Sequence, residues 1–244
     1  MTVLAPILAR TPVSRIEDVV ARMEEIDAAL PPGDGVGAFN KLYLAVTRNV
    51  LGGMGQATFA APAFLGELDV AFANLYFAAL RAFELGRDGV PRAWLPLFDG
   101  RAETNVAPIQ FALAGMNAHI NRDLPVGLVE TFTAMNLPMS RHSAPHADYE
   151  KVNDLLVATE TSVKALYLVG AVQSLDLVFH GVDDVVAMWS VRDAREAAWT
   201  NGEALWHLRG VSPLDATYLA SLDRMVGFAG RGLLIPTGTP RAES

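Results

Sequence analysis

The chain has 244 residues, 51% of them hydrophobic and 19% charged, with a formal net charge of −8 and no cysteine. That length builds one generous core or two small ones, and the missing cysteines exclude a disulfide framework, a thiolate nucleophile and a cysteine-held zinc. The acidic balance, with no block of Lys or Arg, argues against nucleic acid as a partner.

Residues 1–13 lack a basic segment followed by an apolar one of signal-peptide length, so they read as a short N-terminal arm of a cytoplasmic protein. Ser14 and Glu17 form a capping-box pattern ahead of Ile16, Val19, Val20, Met23, Ile26 and Leu30 at helical spacing. Pro31-Pro32-Gly33 stops that helix, and a second spans about 38–51 before Gly52-Gly53. Pro62 opens a long helix to about residue 85 with Phe64, Leu65, Leu68, Phe72, Leu75, Tyr76, Ala79 and Phe83 as its apolar face. Residues 87–101 form a proline- and glycine-rich connection packed through Trp94, Leu95 and Phe98.

A central helix follows over 105–121, then a short one from Pro125 to about 135, and a loop containing His142 and His146. Further helices are expected from Asp148 into the 170s, over about 183–208, and over 213–228 with Ser212 as cap and Asp215 three residues on. Residues 235–244 read as a flexible tail. No segment alternates with period two, so the expectation is an all-α fold, a single multi-helix domain over 1–244. No apolar run reaches the roughly 18 residues of a transmembrane segment. The richest, 163–178, is interrupted by Lys164, Gln173 and Asp176.

The segment 105–121 holds no Asp, Glu, Lys or Arg. A helix without charge on any side is expected to be buried all round. Yet it contains Gln110, Asn117, His119 and Asn121, and ends on Arg122-Asp123. At ~100° per residue, Gln110, Asn117 and Asn121 share one stripe, while His119 and Asp123 share another. A His and a carboxylate one turn apart chelate one metal ion, or form a hydrogen-bonded pair that orients the imidazole, or are simply a satisfied core pair.

Elsewhere, Asp69 lies beside Leu65, Leu68 and Phe72, with Tyr76 two turns on, and an acid so placed needs a partner. His146 precedes Asp148, Tyr149 and Asn153 in a Ser/Pro-rich hinge that suits a lid. Glu203 and His207 read as a surface ion pair. Arg192, Arg195 and Trp199 form a stripe suited to an anion or to salt bridges between helices. No G-x-S-x-G, P-loop, H-E-x-x-H or paired Glu-x-x-His motif occurs, and no G-x-G-x-x-G follows a strand.

The run Gln110, Asn117, Ala118, His119, Ile120, Asn121, Asp123, Leu124 resembles an uncharacterised bacterial and fungal family of helical proteins marked by an Asn-Ala-His-Ile-Asn-x-Asp-Leu motif. The resemblance extends to Leu68-Asp69-Val70-Ala71-Phe72-Ala73-Asn74 and Asp148-Tyr149-Glu150-Lys151-Val152-Asn153. It implies a shared helical fold with an internal polar site, and no particular reaction. His119 and Asp123, followed by Pro125, also resemble part of the metal helix of zinc-dependent phospholipase C and P1 nuclease. The next ligand of that group is replaced by Val126-Gly127-Leu128-Val129, and its N-terminal Trp ligand is missing, so a trinuclear site is not expected.

The first functional reading is an enzyme with an internal apolar pocket and one or two divalent ions (zinc, manganese or iron), hydrolysing an ester or phosphoester. His119, Asp123, His146 and Asp148 would be ligands, with Asp69 as base. Gln110, Asn117, Asn121, Tyr76 and Tyr149 would line the substrate. The second is a metal-free cyclase or isomerase of an apolar, natural-product-like substrate using His119 and Asp123 as a dyad. The third is a non-catalytic binding protein for a small apolar or amphipathic molecule. The sequence leaves homo-oligomer formation open.

Overall fold

The computed structural model describes residues 2–10, 12–54, 59–156 and 190–236. Its elements are α1 (Ala5–Leu8), α2 (Ile16–Ala29), α3 (Gly35–Met54), α4 (Pro62–Glu84), α5 (Leu95–Gly100), α6 (Pro108–Ala118), α7 (Leu124–Ala134), α8 (144–156), α9 (Val191–Leu208) and α10 (Leu214–Leu233). No strand occurs among the described residues, and the all-α single domain read from the sequence is what forms. Of the two helices expected from Asp148 into the 170s and over about 183–208, the parts within 157–189 lie outside the described residues, as does most of the expected tail.

The spine is one rod, α6 running into α7. Helices α3 and α10 pack against α6, while α4 and α9 pack against α7. Every residue of α6 from Gln110 to Ala118 is buried, as the missing charge required. The sequence suggested a break before Pro125, and the rod instead continues through a π-turn at His119–Asp123, where the Leu124 N–H bonds to the His119 carbonyl. Proline has no N–H to offer residue 121, and its ring clashes with the carbonyl four residues back. Widening the turn by one residue shifts the register at the proline ring and lets the rod continue, and single π-turns of this kind concentrate at functional sites.

Two expected caps do not form. Helix α2 starts at Ile16 with extended Arg15 as N-cap, and Pro213 holds that position in α10. Ser14 and Ser212 are therefore each one residue outside the place from which a hydroxyl reaches the first turn. Helix α9, by contrast, is capped by Ser190, whose side chain accepts from the Asp193 N–H.

The core is aromatic. Trp94, Trp199, Tyr76, Tyr149, Phe39, Phe64, Phe98, Phe111 and Phe132 are fully buried. Helices α3 and α6 run in the same direction, with Phe111 of α6 over Gly35 and Phe39 of α3 over Gly115. A Cβ on Gly115 would lie 2.3 Å from the Phe39 ring, so glycine is what lets α3 approach this closely. Helix α4 is long and apolar enough by length and composition to cross a membrane. Here Phe64, Leu65, Leu68, Tyr76 and Leu80 are buried within the core. The N-terminal arm is docked: Leu4 and Leu8 are buried, and Asn74 exchanges two hydrogen bonds with the Val13 backbone at 3.0 and 2.9 Å.

Candidate functional site

The π-turn sets His119 and Asp123 on one side of the rod with both side chains buried. His119 Nδ1 lies 3.3 Å from Asp123 Oδ2. That same oxygen accepts the Trp94 indole N–H at 2.9 Å, and Oδ1 accepts from Arg122 at 2.8 Å. With its carboxylate already receiving two N–H donors, Asp123 orients the imidazole as a third, so Nδ1 carries the proton and Nε2 is left as the basic nitrogen. Nε2 is sealed from water and has no hydrogen-bond partner.

Five rings surround this imidazole. Phe72 stacks on it with centroids 3.4 Å apart, Tyr43 meets it edge-on at 4.5 Å, and Phe39, Trp94 and Tyr76 stand at 5.8, 5.9 and 6.2 Å. Of the five, only Phe72 is partly exposed. Burial lowers the His119 pKa, and the hydrogen bond and charge of Asp123 only partly restore it, so the ring is neutral at physiological pH.

Burial, and then the charges of Asp69 and Asp123, push the Tyr43 hydroxyl pKa well above the ordinary tyrosine value. Asp69 is a partly exposed residue whose Oδ2 is nonetheless sealed from water and unpartnered. Burial raises its carboxyl to about 7, opposed by the charge of Arg195. Asp69 is thus poised between its two protonation states near neutral pH, a common property of acid–base groups. Tyr76 is buried, and its hydroxyl donates to Asn40 Oδ1 over a long 3.5 Å.

The carboxamide stripe serves a different purpose. Gln110 Nε2 donates to the Leu233 and Ile235 carbonyls at 2.9 and 2.7 Å, and Asn117 Nδ2 donates to the Val226 carbonyl at 2.9 Å. Asn121 donates to Asn117 Oδ1 at 3.1 Å. These side chains fasten α10 to α6 and are not turned toward His119.

The remaining expected site residues, His146, Asp148 and Tyr149, lie on α8, which packs against α9. Asp148 accepts from the Ala61 N–H at 2.5 Å, at the start of α4, and lies 3.6 Å from Lys151. Tyr149 donates to the Arg195 carbonyl at 2.8 Å under the Arg195 guanidinium, and burial pushes its hydroxyl up to about 12. His146 packs edge-on against Trp199 at 4.4 Å. Among the described residues, the one group of three His, Asp or Glu side chains with ligand atoms within 4.8 Å of one another is His146, Glu150 and Glu196. Among the described residues, His119 and Asp123 gather no third ligand. Glu203 pairs with Arg141 at 3.0 Å in place of the expected His207, which is exposed.

Three contributors escaped the sequence reading. Trp94 comes from the 91–94 turn, which Asp223 of α10 holds by accepting from the Arg92 and Ala93 N–H groups at 2.8 and 3.0 Å. Tyr43 comes from α3, and Asn40 lies one turn before it. Only a buried Trp N–H needing an acceptor gave any warning of the first.

No curated protein and no solved structure matches the chain. Over residues 16–236 it matches DUF5995, and the chain belongs to that family of unknown function.

Proposed function

We propose that this protein carries out proton-transfer chemistry on a small, largely apolar molecule, an isomerase- or cyclase-type reaction with the His119–Asp123 dyad as its acid–base unit. The observation that carries this reading is His119 Nε2, a basic nitrogen sealed inside a ring of aromatic side chains without a partner of its own. A buried polar atom left unsatisfied costs about 1–3 kcal/mol, and such atoms call for a ligand or a role. Nε2 removes a proton from a carbon next to an unsaturated group, the electron pair moves into that group, and the proton is returned at another carbon. Asp123, held by Trp94 and Arg122, stabilises the imidazolium formed between the two steps. The faces of Phe39, Tyr43, Tyr76 and Trp94 suit an apolar substrate and any cationic character that develops on it. Phe72, the partly exposed ring stacked on the imidazole, is the door.

The donor set favours this over metal-assisted hydrolysis at the same pair. Nδ1 is committed to Asp123, and both oxygens of that carboxylate are already engaged, Oδ2 by Trp94 and His119 and Oδ1 by Arg122, so no oxygen is left for a cation. The test is solvent deuterium incorporation into a panel of small cyclic enones and branched alkenes incubated with the protein. Exchange is expected with the parent, and His119→Ala should reduce it by about 100-fold or more, the usual worth of a general acid–base group. No exchange by the parent on any panel member, together with a loss of about 1–3 kcal/mol of stability in His119→Ala, would make His119 a packing residue and sink the proposal.

A further inference from the structure

A second cluster, on α8 and α9, has no part in that chemistry. His146 and Glu150 stand one turn apart on α8, and Glu196 reaches toward them from α9. Each offers a ligand atom, and the three atoms lie within 4.8 Å of one another. The two α8 members have an end with nothing to bind. His146 Nε2 and Glu150 Oε1 are sealed from water and make no hydrogen bond.

The other ends are fixed. Glu150 Oε2 accepts from Asn153 Nδ2 at 3.2 Å, Glu196 Oε1 accepts from Arg141 at 2.6 Å, and the Trp199 ring stands edge-on to the His146 imidazole. The two carboxylates are held as metal ligands are, each by an outer hydrogen-bond partner that sets its orientation, and the Trp199 ring fixes the plane of the imidazole.

We propose that His146, Glu150 and Glu196 form a divalent-metal site that staples α8 to α9. One imidazole with two carboxylates suits a first-row ion such as zinc or manganese better than calcium, which takes oxygen ligands only. Two carboxylates neutralise the ion's charge, and the Arg141 guanidinium acts as the outer partner of Glu196. Glu196 is exposed and the other two residues are half-buried, so an ion enters from the Glu196 side, where water completes its shell, and meets the sealed atoms of His146 and Glu150 on its inner side. The ion fills the space that the two unpartnered atoms leave unsatisfied.

The experiment uses the full chain, stripped with EDTA and titrated with zinc chloride by calorimetry in a non-chelating buffer. One saturable site per chain is expected, with a rise in melting temperature on loading. Glu196→Gln, an exposed position that folding tolerates, and His146→Gln should each weaken zinc binding by more than about 100-fold, beyond what losing an outer partner costs. Asn153→Ala should weaken it by about 10-fold. His119→Gln should leave the zinc isotherm as in the parent, which separates this site from the dyad. The absence of a saturable site overturns the proposal. So does binding that survives Glu196→Gln and His146→Gln, or binding that His119→Gln abolishes.

Discussion

Burial moves the pKa values of Asp69 and His119 in opposite directions. Folded Asp69 titrates at about 7 against an ordinary 3.8, so between those pH values the native state holds a proton that the unfolded chain has released. Asp69 therefore takes stability away as pH rises through that window, by up to about 4 kcal/mol once it is ionised on both sides. For His119 the folded pKa is lowered, and stability is lost as pH falls below the ordinary 6.5. Asp69→Asn should consequently stabilise the protein at pH 8, by a gain that shrinks toward pH 4, and leave the His119 fall below 6.5 in place. Urea melts of both proteins at several pH values read this, and an equal shift at every pH would show that Asp69 ionises freely in the fold. At this scale the His119–Asp123 pair was legible because i,i+4 spacing is a local rule. Tyr43 and Trp94, which complete its surroundings, come from segments more than twenty residues away, and no local spacing encodes them.

At the scale of elements, the sequence placed the central helix and missed what happens at its end. Missing charge over 105–121 located the buried rod, because desolvating a charge is too costly to leave one there. Pro125 then suggested a break, since propensity treats proline as a stop, and tertiary packing on both sides instead kept the rod whole through the π-turn. The caps failed for a related reason: Ser14 and Ser212 have the right chemistry one residue too early. Close approach of α3 to α6 depends on Gly115, which looked like any helical glycine. Gly115→Ala should destabilise by about 1–3 kcal/mol despite alanine's better helix propensity, because its Cβ drives Phe39 out of place. Phe39 contacts the His119 ring, so the same variant should also alter the chemical shifts of that imidazole. An alanine variant as stable as the parent, with unchanged His119 signals, would mean that α3 slides aside freely and that the glycine sets nothing.

For the molecule as a whole, the carboxamide stripe decides whether α10 belongs to the same cooperative unit as the rod. Gln110, Asn117 and Asn121 were visible as a stripe, but a stripe does not state what it faces. For Gln110 and Asn117 the partners are backbone carbonyls of the last helix, reached from more than a hundred residues away, while Asn121 braces Asn117. Asn117 adds a buried second donor to the Val226 carbonyl, and Gln110 supplies a part-buried one to the Leu233 carbonyl, which ends the helix and has no intrahelical donor. The 91–94 turn adds a second tie, since Asp223 of α10 holds the backbone that positions Trp94 over Asp123. Loosening α10 therefore also loosens the dyad. Asn117→Leu and Gln110→Leu should each lower stability by roughly 1–3 kcal/mol, which for a chain of this size is about 2–4 °C of melting temperature per kcal/mol. Because α10 is tied to α6 and to the Trp94 turn, circular dichroism at 222 nm and tryptophan fluorescence should report one coincident transition, in the parent and in both variants. If an early loss of helix signal precedes the fluorescence change, α10 melts by itself, and the carboxamides hold a separable flap rather than the spine.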